Sequence, residues 1–215
     1  MPNRYATARG RMIREQLLPR GISDQGTLAA MEEVPRHLFV EDALQGQAYG
    51  DFSLPIGLGQ TISQPYIVAL MTQGLELKPA DRVLEIGTGC GYQAAVLSRL
   101  CAKVYTVERL KPLMMKARQL FDRLHYLNLV CKLDDGTLGW PANAPYDAIM
   151  VTAAGPAVPE ALLSQLAAGG RLTMPIGGRQ EQELVLIRKG KGQYLKSTLD
   201  QVRFVPLIGA QGWPE

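Results

Sequence analysis

The pattern of apolar and polar residues changes near residue 78. Upstream of this point, apolar residues recur three and four positions apart, which predicts amphipathic helices. The first helix carries its apolar face on Tyr5, Ala8, Met12, Ile13 and Leu17. A second helix is expected after the capping residues Ser23 and Asp24, with Pro35 helping to end it.

The segment 54–60 interrupts this helical region. Pro55, Gly57 and Gly59 favour an ordered loop there, and we expect no strand before residue 78. Ser63 is the expected N-cap of a third helix. The apolar face of that helix consists of Ile67, Val68, Leu70, Met71 and Leu75.

Downstream of residue 78, short apolar runs alternate with helical patterns, which predicts a parallel sheet flanked by helices. Strands are expected at 82–86, 103–107, 129–133, 148–152 and 171–174, with a helix between each pair. The runs 184–187, 194–199 and 202–207 predict an antiparallel addition to the sheet. The fold class is therefore α/β, a doubly wound and mostly parallel sheet of the Rossmann-like kind.

We expect a single domain over residues 1–215. It comprises an N-terminal helical part with a substrate loop at 1–78, a cofactor-binding core at 79–176 and antiparallel strands at 177–215. With 47% hydrophobic and 20% charged residues, the composition fits one globular unit with its own core.

Charge and cysteine content narrow the functional classes. The formal charge of +3 is small and evenly spread, so no nucleic-acid partner is expected. No apolar run approaches the roughly 20 residues of a membrane span, so no membrane partner is expected either. Cys90, Cys101 and Cys131 lack CxxC spacing, so we expect no metal and a cytoplasmic location. A monomer is the expected state, with oligomers left open.

The glycine-rich segment EIGTGCGY at 85–92 follows a predicted strand and opens a helix, where open α/β sheets bind nucleotide-like ligands. Gly87, Gly89 and Gly91 allow a tight turn and close backbone approach. Pyrophosphate binders need a further glycine where Tyr92 stands. The loop therefore favours S-adenosylmethionine, whose cationic end would suit a negative charge on Glu85.

Two acids after the following strands extend this candidate site. Glu108 ends the second strand about 20 residues on, where a carboxylate can accept both ribose hydroxyls. Asp135, followed by Gly136, ends the third strand and could accept a hydrogen bond from the adenine amino group. The alternatives are a solvated acid at Glu108, paired with Arg109 or Lys111, and an ordinary Asx turn at Asp135.

Several segments together resemble the protein-L-isoaspartate O-methyltransferase family over nearly the whole chain. They are LPIGLGQTISQP at 54–65, EIGTGCGYQ at 85–93, YDAIMVTAA at 146–154, GGRLTMPIG at 169–177 and RFVPL at 203–207. The first and last are the most specific to the family. The resemblance implies methyl transfer from S-adenosylmethionine, leaving S-adenosylhomocysteine, to the free α-carboxylate of isoaspartyl residues in damaged proteins and peptides.

The resemblance also implies roles for particular residues. Ser63 matches the active-site serine of the family, although a plain N-cap is its alternative role. Substrate-binding residues are expected at Ile56, Thr61, Ile62, Ser63 and Val205. Cofactor-binding residues are expected at Glu85, Gly87, Thr88, Gly89, Gly91, Tyr92, Glu108, Arg109, Asp135 and Gly136. Asp134 and Ile208 depart from the family pattern, beside the expected adenine contact and peptide wall respectively.

Three other functions would fit parts of the sequence. A methyltransferase acting on a small molecule or RNA would share the glycine loop, but an RNA enzyme would need a clear basic face. A nucleotide-binding oxidoreductase would use Glu108 on ribose, but Tyr92 replaces its third glycine. A non-catalytic binding module would keep the fold without turnover.

Overall fold

A seven-stranded sheet forms the centre of the computed structural model, which describes residues 4–214. In chain order the elements are α1 (Arg4–Met12), α2 (Gln25–Glu33), β1 (Leu54–Gly57), β2 (Gln60–Ile62), α3 (Pro65–Gly74), β3 (Arg82–Ile86), α4 (Tyr92–Ser98), β4 (Lys103–Glu108), α5 (Lys111–Arg123), β5 (Leu129–Leu133), β6 (Tyr146–Val151), α6 (Glu160–Ser164), β7 (Leu166–Gly177), β8 (Gln182–Lys189) and β9 (Tyr194–Val202). Among residues 4–214, none of the helices combines the length and the apolar character of a membrane span.

The sheet has the order β5-β4-β3-β6-β7-β8-β9. The strands from β5 to β7 are parallel, and β8 and β9 extend the sheet in antiparallel register. From β3 the chain first adds β4 and β5 on one side of β3. It then crosses back and adds β6 on the other side of β3. The order therefore reverses between β3 and β6, where doubly wound sheets open a crevice for ligands. The predicted fold class is confirmed.

The two faces of the sheet bury different layers of side chains. Along β3, Val83 packs in a cluster with residues of α3 and α4, whereas Leu84 packs in a cluster that includes α6. Ala148 and Ile149 of β6 divide in the same way. Because neighbouring strand residues point to opposite faces, a parallel sheet covered on both faces needs nearly continuous apolar strands.

The predicted N-terminal helix is confirmed as α1 and one wider turn at Ile13–Leu17. Met12 and Leu17 are fully buried, so the helix lies on the apolar core instead of extending into solvent. Asp24 caps α2 as expected, since its carboxylate accepts the Thr27 amide at 2.7 Å. This helical layer covers α3, α4 and α5 on one side of the sheet.

The expectation of no strand before residue 78 is wrong, because 54–62 forms a β-hairpin. Leu54 pairs with Ile62, and Pro55 pairs with Thr61. The three residues of the turn, Gly57, Leu58 and Gly59, have φ values of 91°, 54° and 70°. Two glycines make this left-handed turn accessible, and the same glycines hide the short strands from a sequence pattern.

Three smaller expectations also need correction. The residue preceding α3 is Gln64, without a side-chain cap, so Ser63 is not the N-cap. Only short 3₁₀ turns at Gly136–Leu138 and Pro141–Asn143 connect β5 to β6, where we expected a helix. The segment 203–208 leaves the sheet after β9, and its Pro206 forms an isolated bridge with Ala154 beyond the end of β6.

A buried ion pair lies at the edge of the sheet opposite the crevice, where the parallel strands begin. Arg171 of β7 contacts Asp81 at 2.7 Å, and both side chains are at most 10% exposed. The guanidinium also donates to the carbonyls of Leu75, Glu76 and Asp147. One side chain thus joins the end of α3 to the beginnings of β3 and β6.

We predict that Arg171→Leu lowers the free energy of unfolding by about 3–5 kcal/mol, because it leaves the Asp81 carboxylate buried without its cation. Urea denaturation measures the loss. Arg188→Leu is the matched control, since Arg188 is the register partner of Arg171 but pairs with Glu76 at the surface. That control should cost no more than about 1 kcal/mol. Equal losses would contradict the structural importance of the buried pair.

Candidate active site

The carboxyl ends of β3, β4 and β6 converge on one open cavity at the point where the strand order reverses. The glycine turn 87–89 follows β3, Glu108 ends β4 and Thr152 follows β6. Residues 60–63, at and just after the end of the hairpin, and residues 205–208 of the C-terminal segment complete the wall. Distant parts of the chain therefore meet at one cavity.

Most of the predicted site residues line this cavity. They are Thr61, Ile62, Ser63, Gly87, Thr88, Gly89, Tyr92, Glu108, Arg109, Gly136 and Val205. The other four, Ile56, Glu85, Gly91 and Asp135, are not among its lining residues.

Gly91 has a packing role at the start of α4. Its φ is 90°, and a Cβ there would lie 2.5 Å from the ring of Phe121 in α5. A side chain would therefore be both strained and obstructed. The next residue, Tyr92, is fully buried and presents one side to the cavity. Gly91 thus sets how closely α5 approaches the glycine turn.

Glu108 is oriented by two backbone amides. Its Oε2 accepts the Gly89 amide at 2.9 Å, and its Oε1 accepts the Leu110 amide at 2.9 Å. The side chain is 6% exposed and lies on the cavity wall. Each carboxylate oxygen can accept more than one hydrogen bond, so two neighbouring hydroxyls of a ligand could still bind it.

Glu85 is placed differently from the sequence expectation. Its side chain is fully buried and accepts a 2.5 Å hydrogen bond from the Thr106 hydroxyl. Thr106 in turn lies 2.6 Å from the hydroxyl of Thr88, which lines the cavity. Burial raises the pKa of Glu85 to about 8, with a smaller contribution from Glu108. The negative charge expected at the cavity is therefore largely absent at neutral pH.

Both carboxylate oxygens of Asp135 accept hydrogen bonds from other residues of the protein. Its Oδ1 accepts from the Thr137 amide and hydroxyl, and its Oδ2 accepts the Ala210 amide at 2.7 Å. The side chain lines a neighbouring hollow with Asp134, Arg109, Ile208 and Trp213. Asp135 thus forms the Asx turn that was its alternative role, capping the 3₁₀ turn Gly136–Leu138.

The expected substrate side of the cavity comes mainly from the end of the hairpin. Ser63 follows β2, and its hydroxyl makes no hydrogen bond with any residue among 4–214. Its carbonyl accepts from Arg36 at 2.6 Å. Val205 faces the same cavity, whereas Ile56 lines an adjacent hollow that shares Gly89 and Cys90 with it.

The sequence interpretation missed several cavity residues. Among them are Gln60, Val68, Cys90, Gln93, Val107, Leu110, Thr152, Ala153, Pro206, Leu207 and Ile208. Thr152 and Ala153 could have been found, since residues after each parallel strand meet at one edge. Val68 and Gln93 reach the cavity from helices whose apolar pattern predicts only packing in the hydrophobic core. Cys90 is half-buried, and the desolvation of its thiol raises the pKa to about 11, which disfavours a reactive thiolate.

Comparison with protein families identifies relatives over almost the whole chain. The profile of the family Protein-L-isoaspartate(D-aspartate) O-methyltransferase matches residues 8–212. A protein-L-isoaspartate O-methyltransferase from Desulfotalea psychrophila is 54% identical over 213 residues, covering 99% of this chain and 100% of the relative. One from Trichlorobacter lovleyi is 56% identical over 210 residues, covering 97% of each.

Solved structures agree with these sequence matches. A protein-L-isoaspartate O-methyltransferase structure superposes with a TM-score of 0.86 at 32% identity, covering 95% of this chain and 67% of that one. A Plasmodium falciparum structure described as a protein-L-isoaspartate O-methyltransferase, in complex with S-adenosyl-L-homocysteine, superposes with a TM-score of 0.79 at 26% identity. That match covers 96% of this chain and 99% of the other.

We predict that Glu85→Gln stabilises the protein increasingly as pH rises from 5 to 8. The folded state retains the Glu85 proton up to about pH 8, whereas the unfolded chain releases it near pH 4.5. Folding stability from this group therefore falls as pH rises through that window. The glutamine variant avoids the loss, and its relative gain should grow by on the order of 3 kcal/mol.

Denaturant unfolding at pH 5, 6.5 and 8 measures this gain, with the exposed Glu181→Gln as control. A gain for Glu85→Gln that does not change with pH would show that Glu85 is already ionised in the folded state.

Proposed function

Because this chain belongs to the protein-L-isoaspartate(D-aspartate) O-methyltransferase family, we propose that it methylates the free α-carboxylate of isoaspartyl residues in damaged proteins and peptides. The methyl donor is S-adenosylmethionine, and the product is S-adenosylhomocysteine. One observation carries the proposal for this site: Ser63, whose hydroxyl makes no hydrogen bond within residues 4–214, lines the same cavity as the glycine turn and Glu108.

The cavity residues fit an adenosine-containing methyl donor. Glu108 keeps acceptor capacity for two ribose hydroxyls while two amides fix its direction. Gly89 lies on the wall without a side chain that would exclude a ligand. Glu85 adds little charge at neutral pH, so its contribution is to hold Thr106 and, through it, Thr88. We assign the adenine end to the Gly136 and Ile208 side of the cavity.

A carboxylate acceptor explains the absence of a general base in the proposed chemistry. Carboxyl groups ionise with a reference pKa near 4, so the acceptor is already an anion at neutral pH. Ser63 then needs only to donate a hydrogen bond that directs one carboxylate oxygen. The beginning of α3 lies directly behind Ser63, and a helix N-terminus favours a nearby anion.

The walls around Ser63 supply orientation and exclusion of water. S-adenosylmethionine supplies an electrophilic methyl group on a cationic sulfur, so the charges of acceptor and donor diminish during an in-line transfer. Water stabilises the separated charges and opposes that step, whereas an apolar enclosure does not. Ile62 and Val205 provide apolar surface here, and Thr61 flanks it. Because the site holds the acceptor oxygen and the methyl group in place, their encounter becomes a reaction between adjacent groups.

The methyl ester prepares the damaged residue for repair. Attack of the following backbone nitrogen on the ester carbonyl forms a succinimide and releases methanol, with the amide proton leaving on the alkoxide. Hydrolysis of this ring can restore a normal aspartyl linkage. These later steps need no residue of the enzyme.

Methyl transfer to paired peptides tests the proposed function. We expect labelled methyl from S-adenosylmethionine to appear on a peptide containing isoaspartate, as an ester labile to mild base, and not on the same peptide containing aspartate. Labelling of neither peptide, with S-adenosylhomocysteine binding established, would direct the search to another acceptor such as a small molecule or RNA. Labelling that resists mild base would exclude a carboxyl ester.

We predict that Ser63→Ala lowers kcat/KM for the isoaspartyl peptide about 10- to 100-fold, the cost of one hydrogen bond to a charged group. Binding of S-adenosylhomocysteine should change less than twofold, because Ser63 acts on the acceptor. Steady-state kinetics and calorimetry measure the two effects. Ser53→Ala, at an exposed position before the hairpin, is the control. Parallel loss of activity and cofactor binding would mean that Ser63 has a structural role only.

A further inference from the structure

Arg36 is a fully buried cation behind the substrate side of the cavity. It lies at the start of the 3₁₀ turn Arg36–Phe39 and is 0% exposed. Its Nε donates to the Ala48 carbonyl at 2.7 Å, and its Nη2 donates to the Ser63 carbonyl at 2.6 Å. One side chain thereby connects both ends of the segment 48–63, which contains the hairpin.

The same guanidinium also contacts the cofactor side. Its Cζ lies 4.8 Å from the centre of the Tyr92 ring, and Tyr92 follows the glycine turn. Ser63 and Tyr92 both line the cavity. Arg36 therefore lies directly behind two residues of the cavity wall, between the end of the hairpin and the glycine turn.

This cation has no carboxylate partner within residues 4–214. None of the ion pairs of this range includes Arg36, and the charged or polar groups that act on it are Tyr92, Cys90 and Tyr49, which are neutral near pH 7. Its Nη1 is buried without a hydrogen-bond partner, as is the Tyr92 hydroxyl. Burial lowers the pKa of Arg36, but arginine remains protonated at neutral pH.

An uncompensated buried charge is costly unless a ligand of opposite sign comes near it. The structure contrasts this site with Arg171, whose buried guanidinium contacts the Asp81 carboxylate. At Arg36 the surroundings are two carbonyls and an aromatic face, which satisfy Nε and Nη2 but leave the charge unneutralised. An anion on the cavity side of Ser63 would complete this arrangement.

We propose that Arg36 is a positioning residue that selects an anionic acceptor: it holds Ser63 by its carbonyl, and its buried positive charge favours a carboxylate over a neutral group at the same place. The inference rests on the proposed function, since it assigns the carboxylate of isoaspartate to the Ser63 side of the cavity. Holding the carbonyl restricts the backbone of Ser63 and hence the direction of its hydroxyl.

Two variants separate charge from packing. Arg36→Met keeps an apolar chain of similar length and removes the charge, whereas Arg36→Lys keeps the charge and cannot reach both carbonyls with a planar fork. Arg99→Met is the matched control, because Arg99 also lies over a tyrosine ring, at 4.7 Å from Tyr126, but does not line the cavity. Thermal unfolding with and without S-adenosylhomocysteine reports the folding and cofactor binding of each variant.

The decisive measurement is the affinity for two peptides in the presence of saturating S-adenosylhomocysteine. One peptide contains isoaspartate, and the other contains isoasparagine, in which a neutral carboxamide replaces the free α-carboxylate. We expect the wild-type preference for the charged peptide to fall at least tenfold in Arg36→Met and to stay within about threefold in Arg36→Lys and Arg99→Met. The kinetic loss in Arg36→Met should lie mainly in KM.

Each other outcome opposes the inference in a distinct way. Equal weakening of both peptides by Arg36→Met would show a packing role without charge selection. If Arg36→Met fails to fold, loss of the charge preference in a folded Arg36→Lys would overturn the inference. A wild-type protein without preference for the charged peptide would overturn the proposed function as well, whereas a wild-type preference that survives in Arg36→Met overturns this inference alone.

Discussion

The close approach of the backbone between β3 and α4 is the constraint on which the rest of the site depends. Gly91 allows α5 to pack directly against the turn, because Phe121 occupies the space that a side chain would need. The Gly89 amide then meets the Glu108 carboxylate at 2.9 Å. The turn and the end of the neighbouring strand are thus joined before any ligand binds, which reduces the reorganisation that binding requires.

Around this shared core, the two ends of the chain build what is specific to the acceptor. The N-terminal layer supplies the hairpin and Ser63, and the segment 203–208 supplies Val205 from the other side. A glycine turn with an acid on the next strand is common to many cofactor-binding sheets. Specificity for a carboxylate acceptor must therefore come from these additions and from the charge placed behind them.

Three buried ionisable side chains around the cavity differ in their partners and therefore in their charge state. Glu108 receives two backbone amides and keeps room for a ligand. Glu85 receives a single hydroxyl and, with its pKa raised to about 8, is mostly uncharged at neutral pH. Arg36 receives carbonyls and a ring face, which leave its charge unneutralised. Burial alone does not determine the charge state, because the partners of each group decide which form is stabilised.

The sequence by itself determined the fold class, the strand positions of the core and about half of the cavity residues. Apolar periodicity and the glycine turn are local signals, and the carboxyl ends of parallel strands must meet at one edge, so Gly87, Gly89 and Glu108 could be placed together in advance. The family resemblance added Ser63 and Val205. The hairpin was missed because its turn glycines break the alternating pattern of very short strands.

Only the tertiary structure decided the burial, the partners and the charge state of the ionisable side chains. The sequence shows that Glu85 precedes the glycines, but only packing shows that it is enclosed and bonded to Thr106. Nothing near Arg36 in the sequence indicates that it lies beside Ser63, 27 positions away. Solvation, charge pairing and orientation depend on neighbours brought together by folding, and a local pattern does not contain those neighbours.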